Sequence, residues 1–91
     1  MKNKTILITG GTGSFGNKFV KLTLKKMNPK RIIVFSRDEM KQYFMNEKFK
    51  NEKKIKFVIG DVKDKSSLLR YLDDVDFVVH AAATKIVPTA E

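Results

Sequence analysis

Ninety-one residues, 42% of them hydrophobic, suffice for one small core and exclude two full domains. With no cysteine there is no disulfide framework and no thiolate metal site, and no apolar run approaches the ~20 residues of a membrane span. The formal charge is +9, but the lysines are spread along the chain and no arginine-rich block forms; this reads as a solvated surface that attracts small anions, with no nucleic-acid partner.

The basic start, Met1-Lys2-Asn3-Lys4, precedes an apolar run too short for a signal peptide, so a cytoplasmic location follows by default. That run predicts a strand over Thr5 to Thr9. The stretch Thr9-Gly10-Gly11-Thr12-Gly13-Ser14-Phe15-Gly16 comes next. Gly10, Gly13 and Gly16 lie three apart, while Gly11, Gly13 and Gly16 also fit G-x-G-x-x-G. A strand, a glycine turn and a helix in that order build a phosphate cradle: the turn frees the backbone, and the first helical N–H groups face the anion. The P-loop alternative fails on register, because Asn17 follows Gly16 and Lys18 comes one position late.

A helix is predicted from about Ser14 to Met27, with apolar sets Phe15-Phe19-Leu22 and Val20-Leu24-Met27 and lysines opposite. Asn28-Pro29 ends it. Strand 2, Arg31 to Ser36, is apolar without alternation, as a strand covered on both faces should be. A helix from Glu39 to Phe49 carries Met40/Phe44 and Met45/Phe49 as core pairs. Strand 3 is Lys56 to Ile59. Asp64 caps a helix reaching Leu72, with Leu68, Leu69 and Leu72 inward. Strand 4 is Asp76 to Val79.

This alternation predicts an α/β, Rossmann-type, doubly wound parallel sheet of order 3-2-1-4. No helix or strand is expected past strand 4. Residues 1–91 therefore read as the N-terminal part of an NAD(P)-binding domain, truncated after that strand, with the rest of the domain and the substrate domain absent.

Ligands of such sheets sit at the carboxyl ends of the strands. Strand 2 ends in Ser36-Arg37 where an NAD enzyme would carry an acid. A hydroxyl beside a guanidinium suits a 2′-phosphate, which favours NADP. The alternative for Arg37 is a surface ion pair with Asp38 or Glu39, and Asp38 also suits a helix cap. Asp61 either accepts from an adenine amino group, with Val62 against the ring, or forms a turn. His80, the only histidine, reads as structural rather than as an acid–base group. Ala81 to Ala83 are small enough for a nucleotide to lie against them, and Lys85 reaches for a sugar or phosphate oxygen. No catalytic set and no metal cluster can be assembled.

These segments resemble the extended short-chain dehydrogenase/reductases that act on sugar nucleotides. Thr9 to Gly16, Ser36-Arg37-Asp38-Glu39-Met40-Lys41-Gln42, Gly60-Asp61-Val62 and His80 to Pro88 look most like the inverting UDP-N-acetylglucosamine 4,6-dehydratases of bacterial surface-glycan and flagellin-sugar synthesis. The resemblance implies NADP binding through Thr12, Gly13, Ser14 and Phe15, through Ser36, Arg37, Asp38, Glu39, Met40 and Lys41, through Asp61 and Val62, and through Ala81. It implies that Lys85 contacts a UDP-sugar substrate. Thr84 stands where the family usually has leucine. The family's Thr-Asp-Lys segment and Tyr-x-x-x-Lys pair fall beyond Glu91, so no turnover is expected of these residues alone. In that family NADP+ takes hydride from sugar C4, water leaves across C5 and C6, and hydride returns at C6 with inversion at C5. The full-length protein is expected to be a homo-oligomer. The alternatives are a UDP-sugar 4-epimerase, a dehydratase/5-epimerase, and a non-catalytic nucleotide-binding module.

Overall fold

The computed structural model describes residues 2–81 and 85–88, the last four by their backbone. In chain order the elements are β1 (Thr5–Thr9), α1 (Ser14–Lys26), β2 (Arg31–Ser36), α2 (Glu39–Lys48), β3 (Ile55–Ile59), α3 (Lys65–Leu69), β4 (Phe77–His80) and β5 (Lys85–Pro88). The first four strands are parallel and ordered 3-2-1-4, as the alternation predicts. The sheet does not stop there. β5 pairs antiparallel with β4, Lys85 opposite His80 and Pro88 opposite Phe77. An open strand edge offers a row of unpaired backbone groups, and the β-branched pair Ile86-Val87 suits that row.

Every residue of β1 is buried, and its side chains alternate between two apolar layers. Ile6 and Ile8 join Val20, Val34, Met45 and Val79 on the side of α1 and α2. Leu7 joins Ile33, Phe35, Val58 and Val78 on the side covered by Leu68, Tyr71 and Leu72. An unalternating apolar strand needs this double cover.

The helix faces match the expected ones in part: Phe19, Val20 and Leu24 of α1, and Met45 with Phe49 at the end of α2, pack on the core, while the other expected residues do not. In α1 the buried stripe is Gly16, Val20 and Thr23. Phe15, Leu22 and Met27 are 40–48% exposed. The cause is Gly16: without a Cβ it lies directly on the backbone of Gly11, and this close approach brings small residues inward. In α2 the inward residues are Gln42 and Met45, while Met40 and Phe44 are exposed. Gln42 Nε2 donates to Val58 O at 2.7 Å and to Ser36 Oγ at 3.1 Å, so hydrogen bonding sets that face together with the apolar Met45. The regular part of α3 ends at Leu69, which is exposed, and the chain continues in tight turns that bring Leu72 onto the core. β4 begins one residue later than expected. Asp76 instead accepts from the Thr5 amide through Oδ2 at 2.8 Å, tying the starts of β1 and β4.

Candidate functional site

The glycine turn joins β1 to α1 at the carboxyl end of the sheet. Gly10 has φ +64° and its amide donates to Phe35 O at 3.0 Å, which swings the chain out of β1 over β2. At Gly13, the N-cap, an added Cβ would meet nothing within 4 Å, so that face of the loop is open. A Cβ on Gly16 would strike the Gly11 carbonyl. Turn, approach and close packing are thus divided among Gly10, Gly13 and Gly16, while Gly11 packs on Ile8 and Val34. No side chain caps α1 and no acid lies in its first turn. The leading N–H groups are therefore free of side-chain acceptors, and with the helix dipole they form an anion seat. These features fit a dinucleotide diphosphate. Asn17 supports the loop from within α1: its Nδ2 donates to Gly13 O at 2.9 Å and to Thr12 O at 3.2 Å.

Two hollows flank the loop. One, of about 470 Å³, is bounded by Gly10, Ser36, Arg37, Asp61, Val62 and His80, among others. Arg37 and Asp61 face each other there at 3.7 Å, with the Arg37 side chain 75% exposed. The ion-pair partner of Arg37 is thus Asp61 rather than Asp38 or Glu39, because the β2–β3 register sets Ser36 beside Ile59. Asp61 also takes the turn role: Oδ1 accepts from Lys63 N at 2.9 Å. Asp38 caps α2 by accepting from Lys41 N at 2.9 Å. Ser36 is buried, and its hydroxyl oxygen is held by Gln42. His80 Nδ1 lies 2.9 Å from Thr9 Oγ1, a hydrogen bond that joins the ends of β4 and β1.

The second hollow, of about 270 Å³, lies between Thr12, Gly13 and Ser14 of the loop and Lys41 and Lys48 of α2. Two lysines thus line the same hollow as the anion seat. Other residues nominated from sequence lie apart. Phe15 stacks on Phe19 with ring centroids 6.0 Å apart. Met40 is exposed on α2, and Glu39 borders a groove beside Gln42, Tyr43 and β3. The Ala81 side chain is buried in the α1 layer, and its amide donates to Thr9 O at 3.0 Å. Lys85 is placed by its backbone alone, and residues 82–84 lie outside the described residues. Among the described residues no group of His, Cys, Asp or Glu forms a metal site, and no helix is long and apolar enough to cross a membrane.

Sequence reasoning passed over Asn17, Gln42 and Thr9 as supports of the site. Asn17 had a readable signal: an amide one turn beyond the N-cap glycine can reach back to the loop carbonyls.

Comparison with known proteins agrees with this geometry. The family model described as "Polysaccharide biosynthesis protein" matches residues 6–91. The chain is 53% identical over 88 residues to UDP-N-acetylglucosamine 4,6-dehydratase (inverting) of Campylobacter jejuni serotype O:23/36, covering 97% of this chain and 26% of that protein. It is 52% identical over 92 residues to UDP-glucose 4-epimerase of Rickettsia bellii, covering 98% and 27%. The crystal structure of dTDP-glucose 4,6-dehydratase from Bacillus anthracis in complex with NAD superposes with a TM-score of 0.73 at 25% identity, covering 85% of this chain and 26% of that one. The chain spans about a quarter of the length of the curated relatives it matches. A glycine cradle at the switch point of a 3-2-1-4 sheet, matched along nearly its whole length, shows that this chain belongs to the polysaccharide biosynthesis protein family, on the Rossmann fold of the short-chain dehydrogenase/reductases.

Proposed function

We propose that the chain is the N-terminal, NADP-binding part of a UDP-N-acetylglucosamine 4,6-dehydratase, inverting at C5, that serves bacterial surface-glycan or flagellin-sugar synthesis in the cytoplasm. One observation carries the reading: the uncapped, open first turn of α1 in a chain 53% identical to such an enzyme. The bound dinucleotide would supply the hydride acceptor. This chain's residues would bind and orient it, with the α1 amides on the diphosphate and the exposed Arg37 guanidinium on the 2′-phosphate. The groups for proton abstraction would lie elsewhere in a homo-oligomeric full-length protein, and Lys85 would face the UDP-sugar.

Calorimetric titration with NADP+ and NAD+ tests the cofactor. A charge-assisted hydrogen bond contributes about 1.5–3 kcal/mol, so Arg37→Ala should weaken NADP+ roughly ten- to a hundredfold and leave NAD+ nearly unchanged. Equal losses for both would refute the role of Arg37. The substrate test is mass analysis after the full-length protein meets UDP-N-acetylglucosamine: a dehydratase product has lost one water. The 52% identity to the Rickettsia bellii protein favours a second reading, a UDP-sugar 4-epimerase, whose product keeps its mass.

A further inference from the structure

We propose that Asn17 is a positioning residue for the dinucleotide, holding two loop carbonyls away from the anion seat; the inference rests on the dinucleotide reading above. Gly13 O accepts from both the Asn17 amide at 3.0 Å and Asn17 Nδ2 at 2.9 Å, and Thr12 O accepts from the same Nδ2 at 3.2 Å. Two carbonyls facing one side chain fix its orientation, since the swapped carboxamide would set oxygen against oxygen. The arrangement leaves Asn17 Oδ1 buried without a hydrogen-bond partner among the described residues. A buried orphan acceptor opposes folding, so stability alone does not account for an asparagine here.

The loop explains what the carboxamide does. Gly13 has open space where a side chain would be, so the Thr12–Gly13 peptide unit rotates with little steric resistance, whereas the Gly13 carbonyl is also held by the Asn17 amide. A rotated unit would turn a carbonyl oxygen toward the position of the diphosphate and replace an attractive N–H with a repulsive dipole. Asn17 prevents that rotation from a rigid position one turn into α1. Its action is therefore indirect, through the Thr12 carbonyl above all, with a second bond to Gly13 O.

The test uses the full-length protein with Asn17→Ala and Asn17→Asp, titrated with NADP+ and with adenosine 2′-monophosphate, which lacks the diphosphate. Asn17→Ala should weaken NADP+ about tenfold, the equivalent of one hydrogen bond, and change the monophosphate less than about twofold. Its melting temperature should stay within about 2 °C of wild type, because the lost hydrogen bonds are offset by removal of the orphan acceptor. Asn17→Asp should lose more, since a carboxylate donates nothing to the carbonyls and adds negative charge. Unchanged NADP+ binding in Asn17→Ala would overturn the proposal, as would equal losses for both ligands or a loss that follows the melting temperature. If wild type bound neither compound, the dinucleotide reading itself would fail, and this inference with it.

Discussion

Replacing Gly16 with alanine tests whether the glycine loop is built as described. The new methyl would meet the Gly11 carbonyl oxygen, carbonyl carbon and Cα, all of them backbone. A side-chain tip could swing aside, but these atoms move only if α1 lifts or the loop shifts. Overpacking of this kind costs about 1–3 kcal/mol. Exchanging glycine for alanine in a helix returns up to about 1 kcal/mol. Because three backbone atoms lie inside contact distance the cost falls at the upper end, so the net destabilisation should be about 2 kcal/mol and lower the melting temperature by several degrees. Gly13→Ala is the matched control. Its Cβ enters open space, and its φ of −79° suits alanine. Stability should hold within about 1 kcal/mol, yet the methyl would occupy the approach of the diphosphate. Thermal melts with NADP+ titrations should therefore show Gly16→Ala losing both stability and binding and Gly13→Ala losing binding alone. A Gly16→Ala protein that melts like wild type would refute the packing argument.

Gln42→Leu should destabilise by about 1–3 kcal/mol in urea unfolding, because Val58 O and Ser36 Oγ lose their buried donor. Phe35→Ala removes a fully buried ring that lies under Gly60 and beside Tyr71, and should cost about 3–5 kcal/mol by the same assay. Asp64 gives a pH dependence. Hydrogen bonds from the Ser66 hydroxyl and then the Ser67 amide hold its carboxyl below the usual range. A lowered carboxylate pKa stabilises the fold above the unfolded-chain value, and that stability is lost as pH falls through the folded value. The melting-temperature gap between wild type and Asp64→Ala should be open near neutral pH and close once the medium is well below the ordinary carboxylate range.

Strand order was legible because four short apolar runs joined by helical segments leave few topologies once crossovers are right-handed. The glycine turn was legible because its residue types answer local backbone demands. Helix faces were legible only in part, for a physical reason. Beside Val20 and Met45, α1 and α2 turn inward Gly16, which allows close approach, and Gln42, which hydrogen-bonds, while Phe15, Leu22, Met40 and Phe44 stay outside. Periodicity weighs hydrophobicity and cannot see a contact between two backbones. The Arg37–Asp61 pair was hidden because it depends on a register between segments distant in sequence.

β3 stands last in the sheet order, with β2 on one side and no strand on the other among the described residues. Its sequence, Ile55-Lys56-Phe57-Val58-Ile59, would be an adhesive ribbon but for Lys56, whose ammonium lies 5.6 Å from the Tyr71 ring centroid. A second molecule stacking along this margin in register would bring its own ammonium beside the first, and the repulsion would discourage fibril-like growth. Lys56→Ile would remove that charge from a strand otherwise rich in β-branched and aromatic residues, the pattern of an aggregation-prone edge, and light scattering of concentrated samples should rise.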